Sequence, residues 1–214
     1  MIREVVAALL VAPLLISSAH AGPIQLSDFS SQHIEVSLAS LPVGMGSVPS
    51  ITADGITFRP GFGLIYGYPT VPPWPGGPAV QVCAELGCIL TNTDLDSIVV
   101  DLPTPVAKVG ALLGTVNVAS TARAEFYSNA TLLGTVDISA DPFEGIFAGW
   151  DAGASVITRV RFVDTIDQGF VLGLSRFTYE FAATVPEPST VVLLLLGGVC
   201  VSVFRRRSHP LRHG

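Results

Sequence analysis

Between residues 22 and 184, apolar and polar residues alternate in short runs, and this alternation constrains the fold more than any other feature. In the run 155–163, Val156, Thr158, Val160 and Phe162 fall on one face, whereas Arg159 and Arg161 fall on the other. Alternation with a period of two residues predicts a half-buried β-strand. No stretch of this region has the single apolar stripe of an amphipathic helix.

Similar runs recur along the whole region, and turn-forming residues such as Asp54-Gly55 separate them. Many short strands separated by turns are typical of an antiparallel sandwich or barrel. We therefore predict an all-β fold, an antiparallel β-sandwich of jelly-roll type, that covers residues 22–184. The predicted strands are 33–38, 55–59, 64–68, 80–83, 97–100, 107–112, 122–127, 132–138, 143–148, 155–163, 169–174 and 177–181.

Two similar eight-residue segments lie at residues 111–118 and 131–138. Two copies are fewer than a solenoid needs, because a repeat protein buries its core only when three or more units stack. The repetition predicts two neighbouring strands of similar construction.

The N-terminus has the three parts of a secretory signal peptide. Arg3 supplies a positive charge, an apolar stretch follows, and Ala19-His20-Ala21 forms an Ala-x-Ala cleavage site before Gly22. A first helix of the folded domain is the alternative, but Pro13 disfavours it. Residues 1–21 are therefore predicted to be removed by cleavage between Ala21 and Gly22, which places the rest of the chain in an oxidising compartment.

The C-terminus resembles a membrane anchor. The run from Val191 to Phe204 has 14 residues. As a helix it would be apolar on every face, whereas a core helix of a globular domain has one apolar stripe. It would span about 21 Å as a helix, which is less than the ~30 Å hydrocarbon core of a typical bilayer. Arg205, Arg206 and Arg207 then form a cluster that the positive-inside rule places in the cytoplasm. Residues 208–214 are predicted to be a cytoplasmic extension.

Immediately before this run, residues 185–190 contain Pro186-Glu187-Pro188. Two prolines so close together cannot continue a helix or a central strand, so they hold the segment extended and open to an enzyme. Pro-Glu-Pro, a short apolar helix and a terminal arginine cluster together resemble the PEP-CTERM protein-sorting tail of Gram-negative bacteria. Alternatives are a GPI signal, which normally lacks the arginine cluster, and an ordinary single-span anchor.

The PEP-CTERM resemblance implies processing by an exosortase, a membrane enzyme that cleaves near the Pro-Glu-Pro motif. It would make Pro186, Glu187 and Pro188 the recognition residues, residues 191–204 the transmembrane helix, and Arg205–Arg207 the retention cluster. It also implies an association with exopolysaccharide and with biofilm formation.

The charge of residues 22–184 excludes nucleic-acid binding as the main role. This region has one lysine and five arginines against fifteen acidic residues, a net charge of about −9. Such a surface repels phosphate backbones.

The predicted ectodomain offers few residues for catalysis. His33 is its one histidine, and it falls on a predicted strand without a Gly-x-Ser-x-Gly elbow to complete a serine triad. A zinc site would need three or four cysteine or histidine ligands. A calcium site at Asn92, Asp94 and Asp96 is an alternative to a solvated turn. We predict no enzymatic activity, no cofactor and no metal site, with a glycan hydrolase as a remote alternative.

Cys83 and Cys88 flank a short glycine-containing loop, and in an exported chain they are predicted to form a disulfide. Cys200 falls within the apolar run and is predicted to be a small apolar residue there, or a palmitoylation site.

Aromatic residues surround the proline-rich segment 69–78. Tyr66, Tyr68 and Trp74 are candidates for stacking on sugar rings, because an aromatic side chain on a stiff loop presents a rigid apolar face. Trp74 could instead fold back over the sandwich, and Trp150 is either a second loop residue or part of the core. Asn129-Ala130-Thr131 is a formal glycosylation sequon that is usually idle in bacteria.

Together these features predict an exported cell-surface or matrix protein that is the substrate of an exosortase-like enzyme. Its expected partners are that enzyme, the Sec translocon, the inner membrane before processing, and exopolysaccharide. A carbohydrate-binding or adhesive module that uses residues 66–78 is the alternative function.

Overall fold

The computed structural model describes residues 20–39, 41, 47–68, 87–91, 97–115, 120–140, 145–165 and 172–182. Several predicted features lie outside these residues: the leader up to residue 19, the loop with Trp74, Cys83, the candidate calcium ligands at 92–96, and the tail from residue 183. The chain divides into two compact units, 1–182 and 183–214. Within the described part of the chain, no helix is long and apolar enough to cross a membrane.

The described residues contain thirteen strands and one short 3-10 helix, Leu26–Asp28. The strands are β1 Gly22–Ile24, β2 Ile34–Glu35, β3 Ile51–Ala53, β4 Ile56–Pro60, β5 Ile65–Tyr68, β6 Cys88–Thr91, β7 Ser97–Val106, β8 Lys108–Thr115, β9 Ser120–Ser128, β10 Thr131–Ala140, β11 Gly145–Asp151, β12 Ile157–Asp164 and β13 Leu172–Glu180.

The strands form two antiparallel sheets. One sheet has the order β1-β11-β8-β13-β6-β5, with β2 paired to part of β13, and the other has the order β10-β9-β12-β7-β4-β3. From β6 onward, successive strands mostly change sheet, so that β6-β13-β8-β11 faces β7-β12-β9-β10, as in a jelly roll. The predicted all-β sandwich is confirmed.

A single apolar core lies between the sheets. Its largest fully buried side chains include four phenylalanines, and Phe177 on β13 packs edge-to-face against Phe58 and Phe162 of the opposite sheet, at 5.4 and 6.4 Å between ring centroids. Each of these phenylalanines reaches the core because side chains at every second position of a strand point into the space between the sheets.

Three sequence-based predictions about strands were wrong. Residues 169–174 and 177–181 do not form two strands, since Leu172–Glu180 is one strand with a bulge near Arg176. The described part of the first similar segment, 111–115, lies in β8 and the second lies in β10, and these strands belong to different sheets and are not neighbours. His33 precedes β2 and lies outside it, exposed, with its Nδ1 donating a 2.6 Å hydrogen bond to the carbonyl of Ser30.

Candidate binding face

The outer face of the six-stranded sheet carries most of the arginines of the predicted ectodomain. Four of its five arginines point away from the core here, because they occupy the outward positions of their strands while the alternate positions are buried. We call this surface the arginine face. Its charged and phenolic residues are Arg59 on β4, Asp101 on β7, Arg123, Glu125 and Tyr127 on β9, Asp137 on β10, and Arg159 and Arg161 on β12.

Asp101 lies at the centre of the arginine face between two arginines. Arg159 Nε donates to Asp101 Oδ1 at 2.6 Å, and Arg59 donates to the other carboxylate oxygen. Burial alone would raise the pKa of Asp101, but the hydrogen bonds and charges of Arg159 and Arg59 outweigh it and hold the pKa below its usual value. The bonds therefore stabilise the fold above the ordinary pKa of the carboxyl, and the contribution is lost as the pH falls through the lowered pKa.

A second cluster lies beside the first. The hydroxyl of Tyr127 donates to Glu125 Oε2 at 2.7 Å, and Arg161 Nη1 lies 3.5 Å from the same oxygen. The hydrogen bond to Glu125 raises the pKa of the Tyr127 phenol. At the edge of the sheet, Arg123 Nε donates to Asp137 Oδ1 at 2.6 Å, which raises the pKa of that arginine.

A cleft of about 290 Å³ opens on this face where two irregularities meet. Asn129 and Ala130 form the turn between β9 and β10, and Asn129 adopts a left-handed φ of 53°. Its backbone N–H donates to Thr158 Oγ1 at 2.6 Å, beside an irregularity in the pairing of β12 with β7 between Ile157 and Arg159. Asp101, Asn129, Ala130, Thr158 and Arg159 line the cleft.

The cleft offers hydrogen-bond donors and acceptors of fixed geometry, and this suits a hydroxyl-rich ligand. The Arg159 guanidinium donates, the Asp101 carboxylate accepts, and an amide such as that of Asn129 does both. Strands β12 and β7 hold Arg159 and Asp101 more rigidly than loops would, and Asn129 lies in the tight turn between β9 and β10. Among the residues that the structure describes, no group of three or more histidine, cysteine or acidic side chains could hold a metal ion.

The structure places two of the three predicted glycan-contact residues, Tyr66 and Tyr68, away from this cleft. Tyr66 and Tyr68 belong to β5 at the edge of the other sheet, and Trp74 lies outside the described residues. The alternation of residues 155–163 predicts that Arg159 and Arg161 share a face, but the sequence analysis does not single out Arg59 or Asp101. The same alternation marks both residues, but their meeting with β12 depends on pairing between strands distant in sequence.

The other predicted site residues are only partly described. Cys88 is fully buried on β6 and forms a disulfide, but its predicted partner Cys83 lies outside the described residues, so the pairing stays a prediction. Gly22, the predicted first residue after cleavage, begins β1. The sorting residues Pro186–Pro188, the run 191–204 and Arg205–Arg207 all lie outside the described residues.

Comparison with known proteins identifies the tail. Residues 184–207 match the family described as the PEP-CTERM protein-sorting motif. A motif of this kind indicates an exported protein that is processed at its C-terminus. No curated protein has a matching sequence.

Solved structures with some likeness to this chain include two adhesin domains of Lys-gingipain. The K2 domain has 12% identity and a TM-score of 0.44, covering 72% of this chain and 100% of that chain. The K1 domain, from Porphyromonas gingivalis, has 16% identity and a TM-score of 0.38, covering 71% and 99%. A carbohydrate-binding module of Clostridium stercorarium in complex with cellobiose has 16% identity and a TM-score of 0.30, covering 75% and 94%. At these scores the likenesses support no inference about function.

Proposed function

This chain carries a PEP-CTERM protein-sorting motif, and from that premise we propose that it is an exported cell-surface or matrix protein whose tail is the substrate of an exosortase-like enzyme. The match at residues 184–207 is the observation that carries the proposal. In this reading the protein is processed by an enzyme and is not itself one.

Within the tail, each part has a separate physical task. Pro186 and Pro188 hold the recognition segment extended, so that it fits an enzyme cleft without first unfolding a helix. The apolar run from Val191 to Phe204 keeps the precursor in the inner membrane, and the arginine cluster stops its transfer. The Sec translocon delivers the chain to that position after the leader is recognised.

The tether between the ectodomain and the motif is short. Strand β13 ends at Glu180, and five residues separate it from Pro186. Five extended residues span at most about 18 Å. The enzyme therefore cuts close to a folded β-sandwich, and the released ectodomain carries only a short C-terminal peptide.

An exported location is also consistent with the disulfide at Cys88. Structural disulfides form and persist in oxidising compartments and are rare in the cytosol. After release, the acidic surface keeps the ectodomain soluble among the exopolysaccharides of the cell surface.

Intact mass spectrometry of the mature protein from its exporting host tests this proposal. We expect the wild-type mass to lack everything after residues 185–189, and the Pro186-Glu187-Pro188→Ala triple variant to retain residues up to 214. The matched control is Pro103-Thr104-Pro105→Ala, which changes an exposed Pro-x-Pro sequence on β7 and should be processed normally. A wild-type mass that still includes Arg205–Arg207 would show that the tail is an ordinary anchor and would exclude processing by an exosortase-like enzyme.

A second candidate function is carbohydrate binding, which the polar cleft on the arginine face favours. Asn129→Gly removes the amide but keeps the left-handed backbone, which glycine adopts readily. If the cleft binds the host polysaccharide, this variant weakens binding to the purified mature protein, measured by calorimetry. The control, Thr52→Ala, changes an exposed threonine on the far edge of the same sheet and leaves binding unchanged.

The same titration separates the cleft from the loop of residues 66–78. A loss on Trp74→Ala with normal binding by Asn129→Gly would assign the ligand to the loop. Binding that neither variant changes would exclude both positions, and an absence of binding by the wild type would exclude the function.

A further inference from the structure

The two sheets end in four edge strands, and one of them is unlike the others. Among the described residues, the edges are β1 and β5 in one sheet and β3 and β10 in the other. β1 and β3 have three residues each, and β5 has four, whereas β10 has ten. Natural proteins keep edge strands short because an edge offers unpaired backbone groups to another chain.

β10 has one device that protects an edge, the irregularity between Leu132 and Gly134 in its pairing with β9, but from Gly134 onward it lacks the others. It contains no proline and no lysine, and its pairing with β9 is regular from Gly134 to Ala140. Its one charge, Asp137, is paired with Arg123 of β9 at 2.6 Å. The edge is therefore nearly neutral along its whole length, which at about 3.4 Å per residue is roughly 34 Å.

Apolar side chains follow the same edge. Leu132 is 50% exposed, and Leu133 and Val136 are only partly buried against the core. Threonine, valine and isoleucine are residues that favour strands, and they make up four of the ten residues of β10. A further strand laid along residues 134–140 would pair this backbone and cover Val136.

We infer that β10 pairs in antiparallel fashion with β10 of a second copy of this chain, which joins two six-stranded sheets into one continuous sheet. A strand that pairs with its own copy across a two-fold axis meets the same side chains in reverse order. The small polar residues Thr135 and Ser139 then meet across the axis without a clash. The like charges of the two Asp137 side chains are already balanced by Arg123 of each copy.

This geometry produces a closed dimer. A two-fold axis uses both β10 edges, so no β10 edge remains for a third copy, and the other described edges, β1, β3 and β5, are too short to be good templates. The inference goes beyond the proposed function, because it concerns a surface of the ectodomain and not the sorting tail.

Analytical ultracentrifugation of the mature protein, purified from its exporting host, tests the dimer. The double variant Thr135→Lys, Ser139→Lys places like charges on both copies at exposed positions of β10. We expect the wild type to sediment as a dimer at about 100 µM and the variant to dissociate at least tenfold more readily. The matched control, Thr52→Lys with Thr57→Lys, puts two lysines near the opposite edge of the same sheet and leaves the dimer intact.

A second measurement in intact cells uses a single cysteine. Asp137→Cys places the two thiols opposite each other at the two-fold axis, so it should give a disulfide-linked dimer on a non-reducing gel, and Thr52→Cys should not. A wild type that is monomeric at about 100 µM, or a dimer that the β10 lysines do not weaken, would overturn the inference. Equal loss in both double-lysine variants would also overturn it, because the contact would then not be specific to β10.

Discussion

Trp150 shows how one residue ties the two sheets together. It lies on β11, is 9% exposed, and stacks on Phe126 of the opposite sheet at 5.8 Å between ring centroids, with 21° between the ring planes. The edge of its indole ring occupies the space where Gly134 of β10 would carry a Cβ atom. Of the two alternatives that the sequence left open, a loop or a core position, the structure gives the core.

Gly134→Ala should destabilise the protein, because the added methyl group must displace either the indole ring of Trp150 or strand β10. Overpacking of this kind costs about 1–3 kcal/mol, which urea unfolding measures as a lower midpoint. In a Trp150→Phe background the smaller ring leaves room for the methyl group, so the cost should shrink. An equal cost in both backgrounds would show that Gly134 is required by its own backbone and not by Trp150.

At the scale of elements, the alternation of the sequence predicts most strands, and its failures have local causes. In β13, Leu174 and Phe177 both point inward although three positions separate them, since the bulge at Arg176 adds one residue and reverses the phase. In the sequence, such a phase reversal looks like the boundary between two strands, and for this reason the sequence predicts two strands where the structure has one. The similar segments in β8 and β10 carry no information about which sheet each will join, because sheet membership depends on crossovers and not on the strand itself.

The candidate site follows the same rule. The alternation predicts that Arg159 points outward, and it does. That Arg159 meets Asp101, and through it Arg59, depends on the order β12-β7-β4, which pairs residues up to 66 positions apart. The outward position of the arginines on the arginine face can therefore be predicted from the sequence, but the cleft cannot.

The bulge in β13 gives a prediction with a matched pair of variants. Arg176 has a φ of 47°, a left-handed conformation that costs a residue with a side chain about 1–2 kcal/mol and costs glycine almost nothing. Both Arg176→Gly and Arg176→Ala lose the half-exposed ion pair with Glu35. Their difference therefore isolates the backbone, and Arg176→Gly should be the more stable by about 1 kcal/mol in urea unfolding. Equal stability of the two variants would mean that the bulge rearranges when the arginine is removed.

At the scale of the whole molecule, the residues that follow the predicted leader hold together distant parts of the seven-stranded sheet. β1 pairs with β11, and Phe29 packs edge-to-face on Phe147 at 6.0 Å. The backbone N–H of Ser30 donates to Glu180 Oε2 at 2.7 Å, near the end of the last strand. The N-terminal segment thus connects the first strand of the fold to the strand that leads toward the sorting tail.

This arrangement predicts that the position of leader cleavage matters for stability. Cleavage between Ala21 and Gly22 leaves β1 whole, whereas a mature chain that lacks residues 22–24 would expose the edge of β11. Loss of its ladder hydrogen bonds, at about 1 kcal/mol each, should lower the melting temperature by roughly 2–8 °C in a domain of this size. Exchange of the leader for another one that still leaves Gly22 first should have no effect on the melting temperature, measured by circular dichroism on the mature protein. If the chain without residues 22–24 melts with the wild type, β1 is dispensable and the cleavage site is set by the leader alone.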